Sequence, residues 1–580
     1  MSERVIPLND AKRDAKRAAR ASRDRQDRNQ DPARFDNPPV APIGTADGKY
    51  WVFQANGELR GLPAKDLGSS PTLLALFDAD VAWLSSRFPA FDREGNPTGW
   101  FSTKHVNAWL VSECARHGLF DPDVPQRGVG VWRAGSAMVL HTGRQVRHVA
   151  ADGQVTERNA GFAAWGALWP RRAAVPPPGD PAPLEHAHWL LGLLQRWTWE
   201  RSGEAGVFLG LWAAGLLGAA IRWRPHALVV GGAGTGKSSL MEIYALASPL
   251  AFASNDFTEP GLRQSLSGRA APLVLDEAEG DMDGQFKMQK VIELLRRVSG
   301  GEGARTVKGS PGGAAQVFSV TSAAVLGAIL PPPLLPQDAS RITRLDLWPR
   351  AEDSDALGLP DEAERDLLAT RAPGLWGRAL AGLPRFHDNF VAIRTAILAH
   401  GCAPRLADQI GTILAARDMM LSDRPSDPRA AIDSIPWLIV TAAEAAADDG
   451  PHAALAHLLA SPSEITHGGE KPSIGRLVHQ ALHDQVPIEA RRQLGEHGLR
   501  VAPMLAGVPG STVLYVANAH PRLTRIFEGT QWNSGRWRDD LRRLPGAMNP
   551  PNPERIGHSK VRCTAIPAAL LPPLRPERED

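Results

Sequence analysis

Ala227-Leu228-Val229-Val230-Gly231-Gly232-Ala233-Gly234-Thr235-Gly236-Lys237-Ser238-Ser239 decides how the rest of this 580-residue chain is read. Ala227–Val230 predicts a short buried strand, residues 231–238 match G-x-x-x-x-G-K-[ST], and Ser239–Ala247 continues with helical periodicity. Strand, glycine-rich loop and helix in that order form a phosphate cradle. The glycines let backbone N–H groups converge on phosphate oxygens, and the following helix adds its positive dipole end. Residues 231–239 are therefore the candidate nucleotide-binding set: Gly231, Gly232, Ala233, Gly234, Thr235, Gly236, Lys237, Ser238 and Ser239. Lys237 is expected to place its charge on the β- and γ-phosphates of ATP, and the Ser238 hydroxyl to ligate Mg²⁺.

A second element, Leu273-Val274-Leu275-Asp276-Glu277, is a short apolar strand ending in two carboxylates, 39 residues after Lys237. Asp276 is suited to hold the Mg²⁺, and Glu277 to polarise an attacking water as general base. Glu279 reads as a surface acid. Together the two elements predict a P-loop nucleotide hydrolase.

Downstream, Val298–Gly313 reads as a glycine-rich turn and a short basic hairpin carrying Arg305 and Lys308. The strand Ala323–Ile329, the break Pro331-Pro332-Pro333, and Ser340-Arg341-Ile342-Thr343-Arg344 before an apolar strand follow. This order over about Arg222–Pro349 resembles superfamily III helicases, most closely the AAA+ ATPase domains of phage- and plasmid-encoded primase–helicases. The resemblance implies a homo-oligomeric, hexameric ring with ATP between subunits. It implies that Arg341 (Arg344 as second choice) is an arginine finger, and that Arg305 and Lys308 grip single-stranded or forked DNA. It further implies a role in phage, prophage or plasmid DNA replication, with a primase or other replication proteins as partners. One departure stands out. Where the family carries a water-positioning polar residue at the end of the strand before the prolines, this chain has Ala328 or Ile329, so either Thr321 or Ser322 acts from a shifted strand or hydrolysis is weakened.

The remainder bounds the reading. With 65 basic and 63 acidic residues the net charge is +2, so nucleic-acid contact must come from local patches. Hydrophobic residues at 43% and charged residues at 22% predict several cores. Cys114, Cys402 and Cys563 are too scattered for a disulfide scaffold or a zinc ribbon, and the polar N-terminus lacks an apolar signal region, so a cytoplasmic protein is expected. The apolar run Ala205–Ile221 reads as a packed core helix rather than a membrane span.

The expected fold class is α/β: an AAA+-type P-loop core (184–350) preceded by a basic tail (1–45) and a mixed α+β accessory domain (46–175). A helical region (351–460) and a small α/β, winged-helix-like C-terminal module (470–580) follow. Asp78-Ala79-Asp80 suggests a primase carboxylate pair but reads better as a solvated helix face. His186 with His188, and His452 with His457, are badly spaced as zinc ligands. Arg536-Trp537-Arg538 with Arg542-Arg543, and the clusters Arg127–Arg133 and Arg144–His148, are further basic patches. Two readings rival a DNA helicase: an ATP-gated assembly or regulatory ATPase that unwinds nothing, and a bifunctional primase–helicase.

Overall fold

A computed structural model describes residues 38–276, 282–301, 304–309, 315–329, 334, 336–350, 358–437, 450–463, 471–483, 488–503, 512–530 and 532–571. Strands β1 (Ala41–Ala46), β2 (Lys49–Phe53) and β3 (Leu59–Pro63) form an antiparallel sheet in that order. The β2–β3 hairpin turns at Asn56-Gly57, a sequence suited to such a turn, with Gly57 at φ +84°. Residues 41–45, read as tail, pair with β2 instead; Pro42 is tolerated because β1 is an edge strand.

Thr72–Arg87 carries one helical periodicity in sequence but forms two helices, α1 (Ser70–Leu76) and α2 (Val81–Arg87). Asp78 and Ala79 adopt φ of +52° and +58°, which no helix continues through. The Asp80 carboxylate accepts a hydrogen bond from the Trp83 N–H at 2.9 Å, capping α2. Asp78 and Asp80 thus mark a helix break rather than a helix face. A short hairpin, β4 (Pro89–Phe91) with β5 (Pro97–Phe101), and α3 (Thr103–His117) complete this part. An antiparallel meander follows: β6 (Gly130–Ala134), β7 (Ala137–His141), β8 (Gln145–Val149) and β9 (Val155–Asn159). A small hairpin, β10 (Phe162–Ala164) and β11 (Ala167–Trp169), closes it.

After α4 (Leu184–Leu194) comes α5 (Glu204–Leu217), buried along nearly its whole length, which explains its membrane-like hydropathy. No helix among the described residues is long and apolar enough to cross a membrane. Then β12 (His226–Gly231) leads into α6 (Lys237–Leu246), followed by β13 (Phe252–Ser254), α7 (Glu259–Leu266), β14 (Leu273–Asp276) and α8 (Met282–Val298). The hairpin β15 (Ala304–Gly309) with β16 (Ala315–Val320), then β17 (Ala324–Ala328), α9 (Pro336–Ala339) and β18 (Ile342–Leu347), complete the core. Five of these strands make a parallel sheet in the order β13-β14-β17-β12-β18.

Both faces of the sheet are covered, as a parallel sheet requires. Ala227, Val229, Val274, Val325 and Leu345 face one core, and Leu228, Leu273, Leu275, Leu326 and Ile342 face the other, with α8. The first core also takes in α10 (Glu362–Ala381), α11 (Leu383–Ala399) and α12 (Pro404–Leu421), so the helical region shares the core of the sheet. After α13 (Pro428–Asp433), a separate core gathers α14 (Pro451–Ala460), α15 (Ile474–His483), α16 (Ile488–Glu496), β19 (Leu499–Pro503) and β20 (Thr512–Ala517). It also holds α17 (Pro521–Ile526), α18 (Arg536–Leu541) and β23 (Cys563–Pro567), beside the hairpin β21 (Glu554–Ile556) with β22 (Ser559–Val561). Residues 451–460, read with the helical region, therefore pack with the C-terminal module.

His226 fastens the sheet to α8. Its Nδ1 accepts from the Ala324 N–H at 3.1 Å and its Nε2 lies 3.1 Å from the Leu295 carbonyl. Burial lowers its pKa to about 3, and burial lowers that of His141 to about 4. Each contribution to stability is complete above the unfolded value near 6.5 and is lost as pH falls. Glu204, fully buried, has its pKa raised to about 7 by desolvation, so it works in the opposite sense between about pH 4.5 and 7. The thermal midpoint should fall on acidification from pH 6.5 to 5. The net loss should be that of one histidine, about 1.4 kcal/mol per pH unit. Glu204→Gln should steepen this fall and His226→Gln should flatten it, as read by thermal melts across that range.

Candidate nucleotide site

The loop between β12 and α6 lies at the C-terminal edge of the parallel sheet, where open α/β sheets bind ligands. Gly234 and Gly236 both adopt φ +80°, and the Thr235 hydroxyl donates to the Gly232 carbonyl at 2.9 Å, closing the turn. A Cβ on Gly231 would lie 2.5 Å from Thr235 Oγ1, so residue 231 cannot carry a side chain without opening the loop. At Gly232 and Gly234 a Cβ would meet nothing within 4 Å, leaving that side of the cradle open. Ser238 is exposed one residue into α6, and Ser239 is half-buried.

Lys237 is buried, and its Nζ donates to Asp276 Oδ1 at 2.9 Å. β17 lies between β14, which ends in Asp276, and β12, which leads into the loop before Lys237, pairing Val230 with Ala328 and Asp276 with Gly327. The lysine therefore reaches across an intervening strand, which is possible because that strand has no side chain at 327. A Cβ there would lie 2.7 Å from Asp276 Oδ1 and 3.4 Å from Lys237 Cδ. Sequence reasoning missed Gly327; a glycine one residue from the end of an apolar strand was the available signal. Gly327→Val should displace the Asp276 carboxylate and raise the Mg²⁺ concentration needed for half-maximal ATP turnover roughly tenfold, about one lost ligand orientation. An Mg²⁺ titration of the ATPase rate checks it.

Trp197 was also missed; it lies just beyond α4, which stops at Leu194. Its indole Nε1–H donates to the Gly236 carbonyl at 2.9 Å, bracing the loop from behind. α10 docks on α6 through Arg365 and Glu242 at 2.9 Å, and its first turn holds Arg196 through Glu364.

Glu277 and Glu279 lie outside the described residues. Arg305 and Lys308 fall on β15, registered opposite Ser319 and Gln316 of β16. Arg341 lies just before β18, whose first residue pairs with the first residue of β12. It is thus at the opposite edge of the sheet from the loop, about 20 Å away at ~3.3 Å per residue. It is half-buried, and burial, then Arg405 and Arg296, hold its pKa below the usual arginine value. Arg344 is engaged within β18 by Asp346 at 2.8 Å.

Thr321 and Ser322 do not reach the site. They precede β17, whose first residue pairs with the first residue of β12, so they lie at the far edge; the Thr321 hydroxyl donates to the Arg269 carbonyl. Gly327, Ala328 and Ile329 at the near end are all apolar. In the C-terminal module, Trp537 is buried and stacked on Phe527 at 5.4 Å, while Arg542 and Arg543 pair with Asp539 and Asp540. The tryptophan of that basic patch therefore belongs to the core.

No family model matches the chain, and no curated protein matches it. Among solved structures, it is similar to the apo structure of the NrS-1 C-terminal region at 10% identity and TM-score 0.31, over 91% of this chain and 96% of that one. The A form of the same region gives 11% and 0.30 over the same shares. A full-length MCM homolog from Methanopyrus kandleri gives 16% and 0.27, over 55% of this chain and 77% of that one.

Proposed function

We propose that this chain is an AAA+-type ATPase that hydrolyses ATP between subunits of a ring and uses each turnover to move a nucleic-acid strand, as a replicative DNA helicase. The observation that carries the proposal is the approach of Lys237 to Asp276 at 2.9 Å beneath an open glycine loop, at the C-terminal edge of a parallel sheet. A buried ammonium and a carboxylate held together with an exposed hydroxyl at Ser238 fit a triphosphate and its metal. Lys237 turns to the phosphates, and Ser238 and Asp276 are the residues that would hold Mg²⁺. The bound ion supplies positive charge that offsets the charge spread over the phosphoryl oxygens.

The backbone N–H groups of residues 232–237 orient the triphosphate. Glu277 takes a proton from the water that attacks the γ-phosphorus, and the bond from that phosphorus to the β,γ-bridging oxygen breaks to leave ADP and phosphate. Arg341 of the neighbouring subunit faces the γ-phosphate and offsets its developing charge. Its distance from its own subunit's loop favours action between subunits. Arg305 and Lys308, on the β15–β16 hairpin, grip the strand.

The apolar end of β17 favours a second reading, an ATP-gated switch that binds nucleotide and turns it over slowly without unwinding. Strand displacement separates the two. With Mg-ATP, the protein should release the labelled strand of a forked duplex, and Arg305→Ala with Lys308→Ala should lower the rate at least tenfold while nucleotide binding persists. Nucleotide binding with no strand release by the unmodified protein would favour the switch.

A further inference from the structure

A cavity of about 1100 Å³ lies where the accessory meander meets the core sheet. It exceeds the ~300–1,000 Å³ usual for small-molecule sites. Five arginines line it (127, 133, 172, 222 and 224), against one carboxylate, Asp123. Arg133, Arg172 and Arg222 are exposed, while Arg224 is buried, its guanidinium donating to the carbonyls of Val298, Ile221 and Gly301. Its partners are all neutral, so they leave its charge uncompensated at the cavity floor.

Trp165 contributes the second, independent observation. It lines the same cavity, at the β10–β11 turn, with φ +53°. A bulky residue in the left-handed region is a genuine outlier, and such strain collects at functional sites. The turn would form at less cost with Asn or Gly at this position. The indole is instead held there, half-buried, stacked on His148 at 4.4 Å and 13° and edge-on to Phe162 and Trp169.

The walls are tied together through the main chain. The Gly128 N–H donates to the Gly268 carbonyl and the Ala270 N–H to the Val129 carbonyl, joining meander to core. The Gly268 N–H donates to the Ser319 carbonyl, joining the same segment to the hairpin. Ser319 and Phe318 line the cavity, and Ser319 is the register partner of Arg305. The arginine-rich wall is thus continuous with the root of the hairpin.

We propose that this cavity is a second nucleic-acid site, holding a few nucleotides of single strand with phosphates on Arg133, Arg172 and Arg222 and a base against Trp165. Arginine forks suit phosphate oxygens, and a planar indole suits a base rather than an acidic peptide. The cavity is too confined for a duplex to enter. It deepens the motor reading, on which it rests, by giving the strand a path to the β15–β16 hairpin along the accessory domain.

Binding of fluorescein-labelled oligo(dT) to the full chain without nucleotide, followed by anisotropy, tests it. Arg133→Glu with Arg222→Glu should weaken binding at least tenfold and lower the slope of log affinity against log salt by about 1.4, two single-strand phosphate contacts at ~0.7 each. Trp165→Asn trades the backbone strain against the packing of the indole on Phe162 and Trp169, so it is read at a temperature where it stays folded, and it should weaken oligo(dT) binding about fivefold or more. These variants should bind a fluorescent ATP analogue normally, whereas Lys237→Ala should lose the analogue and keep oligo(dT). The two sites therefore fail separately. Unchanged oligo(dT) affinity in both cavity variants overturns the proposal. So does equal affinity for a blunt duplex, or displacement of the oligonucleotide by poly-glutamate at matched charge.

Discussion

Lys237→Ala is expected to lower ATP turnover by roughly 10²–10³-fold, the usual loss when one preorganised charge stabiliser leaves a phosphoryl-transfer site. The loss should exceed that of a surface lysine because Lys237 is buried and fixed against Asp276. Nucleotide binding should suffer as well, and thermal melting reads that part directly. A ligand at 100 times its dissociation constant stabilises the fold by about 2.7 kcal/mol. ADP should raise the midpoint of the unmodified protein and leave that of the variant unchanged. Removing the lysine also leaves the Asp276 carboxylate without its cation, so the variant without nucleotide should melt lower. Lys237→Ala with Asp276→Asn should recover part of that loss without recovering turnover, which separates the structural from the chemical role of the pair.

Arg341→Ala is the second large effect, with an expected fall of ~10³-fold in turnover at near-normal nucleotide binding. Its position makes a sharper test available. Because Arg341 and the loop lie at opposite edges of the same sheet, the proposed finger would act on another subunit's nucleotide. Mixing Lys237→Ala subunits with Arg341→Ala subunits creates interfaces that pair an intact loop with an intact arginine. Such mixtures should regain ATPase activity although each variant alone is inactive. A mixture as inactive as its components would mean that Arg341 acts within its own subunit or only supports the fold beside Asp338.

What could be read from the sequence follows from range. The loop and the Asp276 strand were legible because their chemistry is local: glycines at fixed spacing, a lysine after them, an apolar strand ending in an acid. The apolar run at 205–221 was legible as a core helix because arginines and a strand follow it at once. Features that depend on which strands become neighbours were not legible. Gly327 matters only because β17 separates β12 from β14, and no local pattern announces that order. Thr321 and Ser322 looked like substitutes for a polar residue until register placed them at the far edge. The helix break at Asp78 and Ala79 was hidden because its flanks share one apolar periodicity, and β1 was hidden by prolines that an edge strand accepts. Trp537 was read from its arginine neighbours, whereas Phe527 decides its place.

A motor must couple the loop to a strand, and steady-state ATP hydrolysis with and without single-stranded DNA measures that coupling, with Lys237→Ala as the blank. The rate should rise at least several-fold with DNA in the unmodified protein and vanish in the blank. A rate that is lost in the blank but indifferent to DNA would contradict the motor reading and leave a nucleotide switch in its place.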